Sequence, residues 1–268
     1  MSKFRTSELS DSRFESDHLR FMTVKTPNLK GRGDICTFIP PNVGDDATLP
    51  VVILLHGVYG SAWHWPYNTG VHLKANEMIS RGELPPMVIA MPSDGLWGDG
   101  SGYLPHHGYD FEKWIAIDVF DALQENIPGV QKHSPLFLGG LSMGGFGALR
   151  IGAKYGSRFK GIAGHSSITN LAQMRLFVEE DISGMEQQDE VDNDVFKTLQ
   201  RCRGQLPPIR FDCGSSDQLI EYNRLLHRQM EDDGIPHVYE EYPGKHEWAY
   251  WAEHVVDTLR FFAKQVAR

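Results

Sequence analysis

Gly140-Leu141-Ser142-Met143-Gly144 sets a serine between two glycines, after the apolar run Pro135 to Leu138 and just before a helix-forming segment, Phe146 to Tyr155. This is the G-x-S-x-G spacing of a nucleophile elbow. A strand that reverses at once into a helix strains the serine backbone. Side chains two positions either side would collide there, so glycine is required. The turn lifts the hydroxyl clear of the sheet and aims the Met143 N–H, at a helix N-terminus, toward negative charge forming beside it. The competing reading is a glycine-rich strand–helix turn without chemistry.

A serine hydroxyl is a poor nucleophile at neutral pH. It needs an imidazole to take its proton and a carboxylate to fix the imidazole's tautomer. In α/β hydrolases these follow in the order serine, acid, histidine. Ile209 to Asp217 reads as a strand running into a turn, with Asp217 just past the strand end, where ligand sites form in open α/β sheets. Asp212 competes, but it lies within the strand pattern and is expected to bond neighbouring backbone. His246, in Pro243-Gly244-Lys245-His246-Glu247-Trp248, follows the last strand and opens the last helix, so position singles it out among twelve histidines. The expected oxyanion donors are the backbone N–H groups of Met143 and Val58, with Tyr59 as the alternative to Val58. His56 lies too early in chain order for the base and reads as a residue shaping that loop.

Aromatic residues cluster near these loops. Tyr59, Trp63 and Trp97 are expected to line a substrate pocket, whereas Trp114 and Trp251, on helical patterns, read as core. His106-His107, with Asp99 and Asp110 nearby, raises a metal. Adjacent histidines point apart and no third ligand has characteristic spacing, so no metal is expected.

The elements that must position these residues alternate. His18 to Lys25 and Asp34 to Pro40 alternate apolar and polar around a Gly31-Arg32-Gly33 turn, as an antiparallel hairpin does. Pro50 to Gly57 and Pro86 to Pro92 are continuously apolar, as strands buried on both faces must be. Phe159 to Gly164, Ile209 to Cys213 and His237 to Tyr242 supply later strands. Val71 to Arg81, Phe111 to Asn126, Leu219 to Met230 and Trp248 to Val266 read as helices. The expected fold class is α/β, an α/β-hydrolase fold: a mostly parallel central sheet with an antiparallel N-terminal hairpin and helices on both faces. Residues 1–17 form a loose lead-in and 18–268 a single domain. Within it, 166–206 breaks the rhythm and is read as a small cap over the strand ends, or else as an excursion remote from the site.

The 268 residues suffice for one sizeable core, and a formal charge of −9 argues against nucleic acid or an anionic membrane as partner. Three cysteines, Cys36, Cys202 and Cys213, are widely spaced with no C-x-x-C pair, which argues against a disulfide framework or zinc site. With no apolar signal-like stretch at the N-terminus, a cytoplasmic location is expected. A homo-oligomer is left open.

His56-Gly57, Gly140 to Gly145, Asp212 to Asp217 and Pro243 to Trp248 together resemble the esterase D / putative esterase family, over roughly residues 20 to 265. That family includes tributyrin esterases, S-formylglutathione hydrolases, feruloyl esterase domains and mycolyltransferases. The resemblance implies an α/β-hydrolase fold, ester hydrolysis by Ser142, Asp217 and His246, and oxyanion donors at Val58 and Met143. Val58-Tyr59-Gly60-Ser61 and Cys213-Gly214 depart from the formylglutathione enzymes and favour a general small-ester hydrolase. The reading is a serine carboxylesterase acting on short-chain or small aromatic esters through an acyl-serine, with no cofactor. An acyltransferase using an alcohol or sugar acceptor, and a non-catalytic binding protein of the same fold, are the rivals.

Overall fold

The computed structural model describes residues 2–44 and 47–266. Met1 of the expected lead-in, and residues 45, 46, 267 and 268 of the expected domain, lie outside the described residues. In chain order the elements begin with β1 (Ser7–Leu9), β2 (Leu19–Thr26), β3 (Gly31–Phe38), β4 (Val51–Leu55), α1 (His64–Thr69), α2 (Val71–Ser80) and β5 (Val88–Pro92). A small ribbon, β6 (Pro105–His106) with β7 (Tyr109–Asp110), leads into α3 (Phe111–Lys113) and α4 (Val119–Asn126). Then come β8 (Leu136–Leu141), α5 (Met143–Lys154), β9 (Gly161–His165) and α6 (Val195–Arg201). The chain closes with β10 (Ile209–Gly214), α7 (Ile220–Asp232), β11 (Val238–Tyr242) and α8 (Trp248–Val266).

Nine strands form one sheet in the order β1-β2-β3-β5-β4-β8-β9-β10-β11. The pairings from β1 to β5 through β2 and β3 are antiparallel, and those from β5 to β11 are parallel. Every residue of β4, β5 and β8 is buried, which is why these segments are unbroken apolar runs. One core lies on the face covered by α3 to α7 and includes Trp114, Phe146, Leu149, Leu199 and Leu226. The other lies under α1, α2 and α8, where Phe262 stacks on Phe137 at 4.9 Å between ring centroids. Burying one such side chain contributes about 2 kcal/mol.

Register fixes where the loops emerge. Leu55 pairs with Gly140, Leu141 with His165, His165 with Asp212 and Gly214 with Tyr242. The turns after β4, β8, β10 and β11 therefore leave the sheet side by side at its carboxyl edge, where open α/β sheets bind ligands.

The N-terminal expectation is corrected. Residues 2–17 are not a loose lead-in, because Ser7–Leu9 pairs with β2 as an edge strand and Phe4 is buried in the core. Too short and polar to show a strand pattern, this segment is held by what it meets. The aromatic run at Ala62 to Tyr67 enters the short helix α1, and the expected helix over Phe111 to Asn126 carries a π turn at Trp114–Asp118. Trp114 is fully buried there and donates its indole N–H to Ser93 O at 2.8 Å. Among the described residues, no helix is long and apolar enough to cross a membrane.

Candidate active site

Ser142 joins β8 directly to α5 at φ 53°, ψ −118°, a left-handed backbone that costs a non-glycine residue roughly 1–3 kcal/mol. The neighbouring glycines make this turn possible. A Cβ on Gly140 would lie 2.2 Å from Gly144 O, and one on Gly144 would lie 2.4 Å from Leu55 O. The Ser142 N–H donates to His165 O at 2.9 Å, which ties the elbow to β9. Behind it α5 is anchored by Arg150, fully buried, which donates to Glu112 at 2.6 Å and to Tyr103 O at 2.8 Å.

His246 follows β11, and Asp217 follows β10. Their loops press together, since the backbone N–H of Ser216 donates to Gly244 O at 2.9 Å. His246 Nε2 lies 3.0 Å from Ser142 Oγ, and its Nδ1 lies 2.9 and 3.1 Å from the two Asp217 oxygens. The partners assign the tautomer: Nδ1–H donates to the carboxylate, leaving Nε2 to accept from the serine hydroxyl. Asp217 Oδ1 also accepts the Leu219 N–H at 2.8 Å, which fixes the carboxylate against rotation. An imidazole held in this way can take the serine proton as the hydroxyl attacks.

Asp212, the rival acid, is elsewhere. It lies within β10, its carboxylate bonded to side chains rather than to the neighbouring backbone expected of it. Arg210 donates to it, the Tyr250 hydroxyl donates at 2.8 Å, and His165 Nδ1 is 2.9 Å away. Burial pushes the Asp212 carboxyl up, but His165, Arg210 and Tyr250 together bring it down to about 2.

The loop after β4 is held by His56. The Asp94 N–H donates to His56 Nε2 at 3.0 Å, so His56 Nδ1–H is the donor to Gly57 O at 2.7 Å. This pins the Gly57–Val58 peptide. In a trans peptide the Val58 N–H points opposite the Gly57 carbonyl, so its direction is fixed too. This loop approaches the elbow closely: a Cβ on Gly57 would lie 3.3 Å from Ser142 Cβ. The Tyr59 N–H, the alternative oxyanion donor, is occupied by Asp99 O at 2.7 Å. Among the described residues Val58 N–H meets no backbone acceptor, and Met143 N–H, at the first position of α5, has no intrahelical partner.

The aromatic residues divide. Trp63, 46% exposed, stacks on His64 at 4.0 Å, and His64 stacks on Trp248 at 5.7 Å. Trp251 is buried as expected of a core residue, yet its ring also stands edge-on to His246 at 4.9 Å. Tyr59 is 57% exposed. Trp97 packs on His107 at 4.9 Å and Tyr109 at 5.2 Å. His106 and His107 approach each other through Nδ1 atoms 2.9 Å apart, and His106 Nε2 lies 3.0 Å from Ser101 O.

One neighbour escaped sequence reasoning. Phe177, in the segment 166–206, lays its ring on His246 at 4.9 Å and 32°. That segment thus reaches the site at this residue. Nothing in the local pattern around Phe177 distinguishes it from an ordinary apolar residue of a short helix.

The family model described as "Putative esterase" matches residues 27–262. An acetyl esterase of Caldicellulosiruptor saccharolyticus is 26% identical over 264 residues, covering 92% of each chain. A ferulic acid esterase structure superposes with a TM-score of 0.78 at 20% identity, covering 98% of this chain and 99% of that one. An S-formylglutathione hydrolase of Staphylococcus aureus superposes with a TM-score of 0.77 at 18% identity, covering 96% and 99%. With the family match spanning most of its length and an α/β-hydrolase sheet beneath the elbow, the chain belongs to this esterase family and is a carboxylesterase.

Proposed function

We propose that Ser142, His246 and Asp217 are the catalytic triad, that the Val58 and Met143 N–H groups hold the oxyanion, and that the substrates are small carboxylic esters with a short-chain or small aromatic acyl group. The carrying observation is the continuous relay from Asp217 through His246 to Ser142, with contacts of 2.9 and 3.0 Å. Ser142 Oγ attacks the ester carbonyl carbon while His246 Nε2 takes its proton. The carbonyl oxygen becomes an oxyanion between the two backbone donors. His246 then protonates the leaving alkoxide, the C–O bond breaks, and the acyl group stays on Ser142. Water, deprotonated by the same nitrogen, attacks the acyl carbon; the bond to Ser142 Oγ breaks as His246 returns the proton to it, and the acid leaves. Asp217 keeps its charge throughout and stabilises the imidazolium. Each preorganised donor is worth roughly a hundredfold or more in rate.

A small acyl group fits the printed activities of the acetyl esterase and ferulic acid esterase relatives, and it fits a nucleophile that is only 2% exposed. A cytoplasmic location belongs to the same proposal and rests on three free cysteines, two of them buried. The test is hydrolysis of p-nitrophenyl esters from acetate to octanoate and of methyl ferulate, beside Ser142→Ala. Activity on the short or aromatic esters that vanishes in the variant supports the reading. Equal activity of wild type and variant contradicts it.

A further inference from the structure

Four consecutive residues, Phe177 to Glu180, cross from the segment 166–206 to the rim of the site and are tied to two separate loops there. The Tyr59 hydroxyl donates to Phe177 O. The Glu179 N–H donates to the Asp99 carboxylate at 3.2 Å, and the Asp99 N–H donates back to the Glu180 carboxylate at 3.1 Å. Gly98, at φ 47°, turns the chain beside the Glu180 carboxylate, where a Cβ would lie 2.2 Å from Oε2.

The consequence lies at Phe177. With its carbonyl held by Tyr59, its ring rests on one side of the His246 imidazole while Trp251 stands against another. The Tyr59 backbone is itself constrained, at φ 58° and with its N–H on Asp99 O. Tyr59 directly follows the oxyanion donor Val58. The strap is thus bonded to the oxyanion loop through Tyr59, and Phe177 sits between that loop and the His246 ring, beside a nearly covered serine.

We propose that Phe177 is a specificity-determining residue that narrows the site to small acyl groups, and that the Tyr59 hydroxyl is the latch holding it in place. This deepens the esterase reading and rests on it. The strap's bonds are exposed, so each is weak, and the strap yields to a longer acyl chain only by breaking them. Small acyl groups are accepted with the strap in place. Long ones meet the Phe177 ring.

The test is the ratio of kcat/KM on p-nitrophenyl octanoate to that on p-nitrophenyl acetate, in wild type, Tyr59→Phe, Phe177→Ala and Ser142→Ala. Tyr59→Phe removes a single oxygen from a mostly exposed ring, so its folding is not at risk even if Phe177→Ala proves unstable. Both variants are expected to raise the ratio by about tenfold, the low end of what a single methylene is worth in an apolar pocket. Phe177→Leu should fall between Phe177→Ala and wild type. An unchanged ratio in Phe177→Ala overturns the wall, and one in Tyr59→Phe overturns the latch. If wild type turns over neither ester in a Ser142-dependent way, the esterase reading falls and this inference with it. Ser142-dependent activity with unchanged ratios overturns the strap alone.

Discussion

Exchanging Asp212 and Asp217 for asparagine, one at a time, separates a carboxylate that holds the fold from one that drives the chemistry. Asp212 is fully buried, and its neighbours bring its carboxyl from 3.8 down to about 2. A difference of nearly two pKa units corresponds to about 2 kcal/mol of stability. Because the folded value is the lower one, that contribution is complete above 3.8 and drains away as pH falls toward 2. Asp212→Asn does more than remove this linkage, since it leaves the buried Arg210 with only the half-exposed Glu240, 2.8 Å away, as ionic partner. Breaking a buried pair from one side costs about 3 kcal/mol or more. Urea unfolding at neutral pH should therefore show Asp212→Asn less stable by about 3 kcal/mol, with the gap to wild type narrowing below about pH 4. Its hydrolysis of p-nitrophenyl acetate should stay near wild type. Asp217→Asn should do the reverse, changing stability by about 1 kcal/mol while kcat falls by roughly four orders of magnitude, because the imidazole loses its tautomer control. An Asp212→Asn protein that unfolds like wild type but no longer hydrolyses the ester would refute the assignment.

Other consequences are simpler to state. His56→Ala frees the Gly57 carbonyl, so kcat should fall about a hundredfold with KM little changed, as measured by steady-state kinetics on one short ester. Gly144→Ala drives a methyl group against Leu55 O and should destabilise the fold by about 1–3 kcal/mol in urea titration, with hydrolysis lost in the folded fraction. Burial pushes the Cys36 thiol up to about 12 and Cys213 higher still, whereas Cys202 is only half-buried. A disulfide reagent at pH 8 should label Cys202 first in the folded protein, and all three thiols at similar rates in urea.

Local sequence carried the parts of this molecule that local physics decides. The runs at Val51 to Leu55 and Leu136 to Leu141 had to be buried strands, and the glycines around Ser142 had to be a tight turn, because no other residue fits. Chain order then singled out His246 among many histidines, and strand position favoured Asp217 over Asp212. What stayed hidden depends on partners far along the chain. Ser7–Leu9 is a strand only because β2 offers it an edge. Trp97, flanked by glycines, looked available to a substrate, yet it is held by the ribbon that follows it. The contact of Phe177 with His246 spans 69 residues, the difference between their numbers, and no periodicity in either segment encodes it. The bond from His56 to Asp94 was invisible for the same reason, although the placement of His56 in the loop was already read as structural.

The most direct test of the account is to find the atom that becomes acylated or phosphonylated. The protein is treated with a fluorophosphonate, digested, and the modified peptide sequenced by mass spectrometry. The account predicts a single phosphonyl group on Ser142, lost in Ser142→Ala and strongly slowed in Asp217→Asn but not in Asp212→Asn. A label on another residue, or ester hydrolysis that continues after Ser142 is fully blocked, would contradict it.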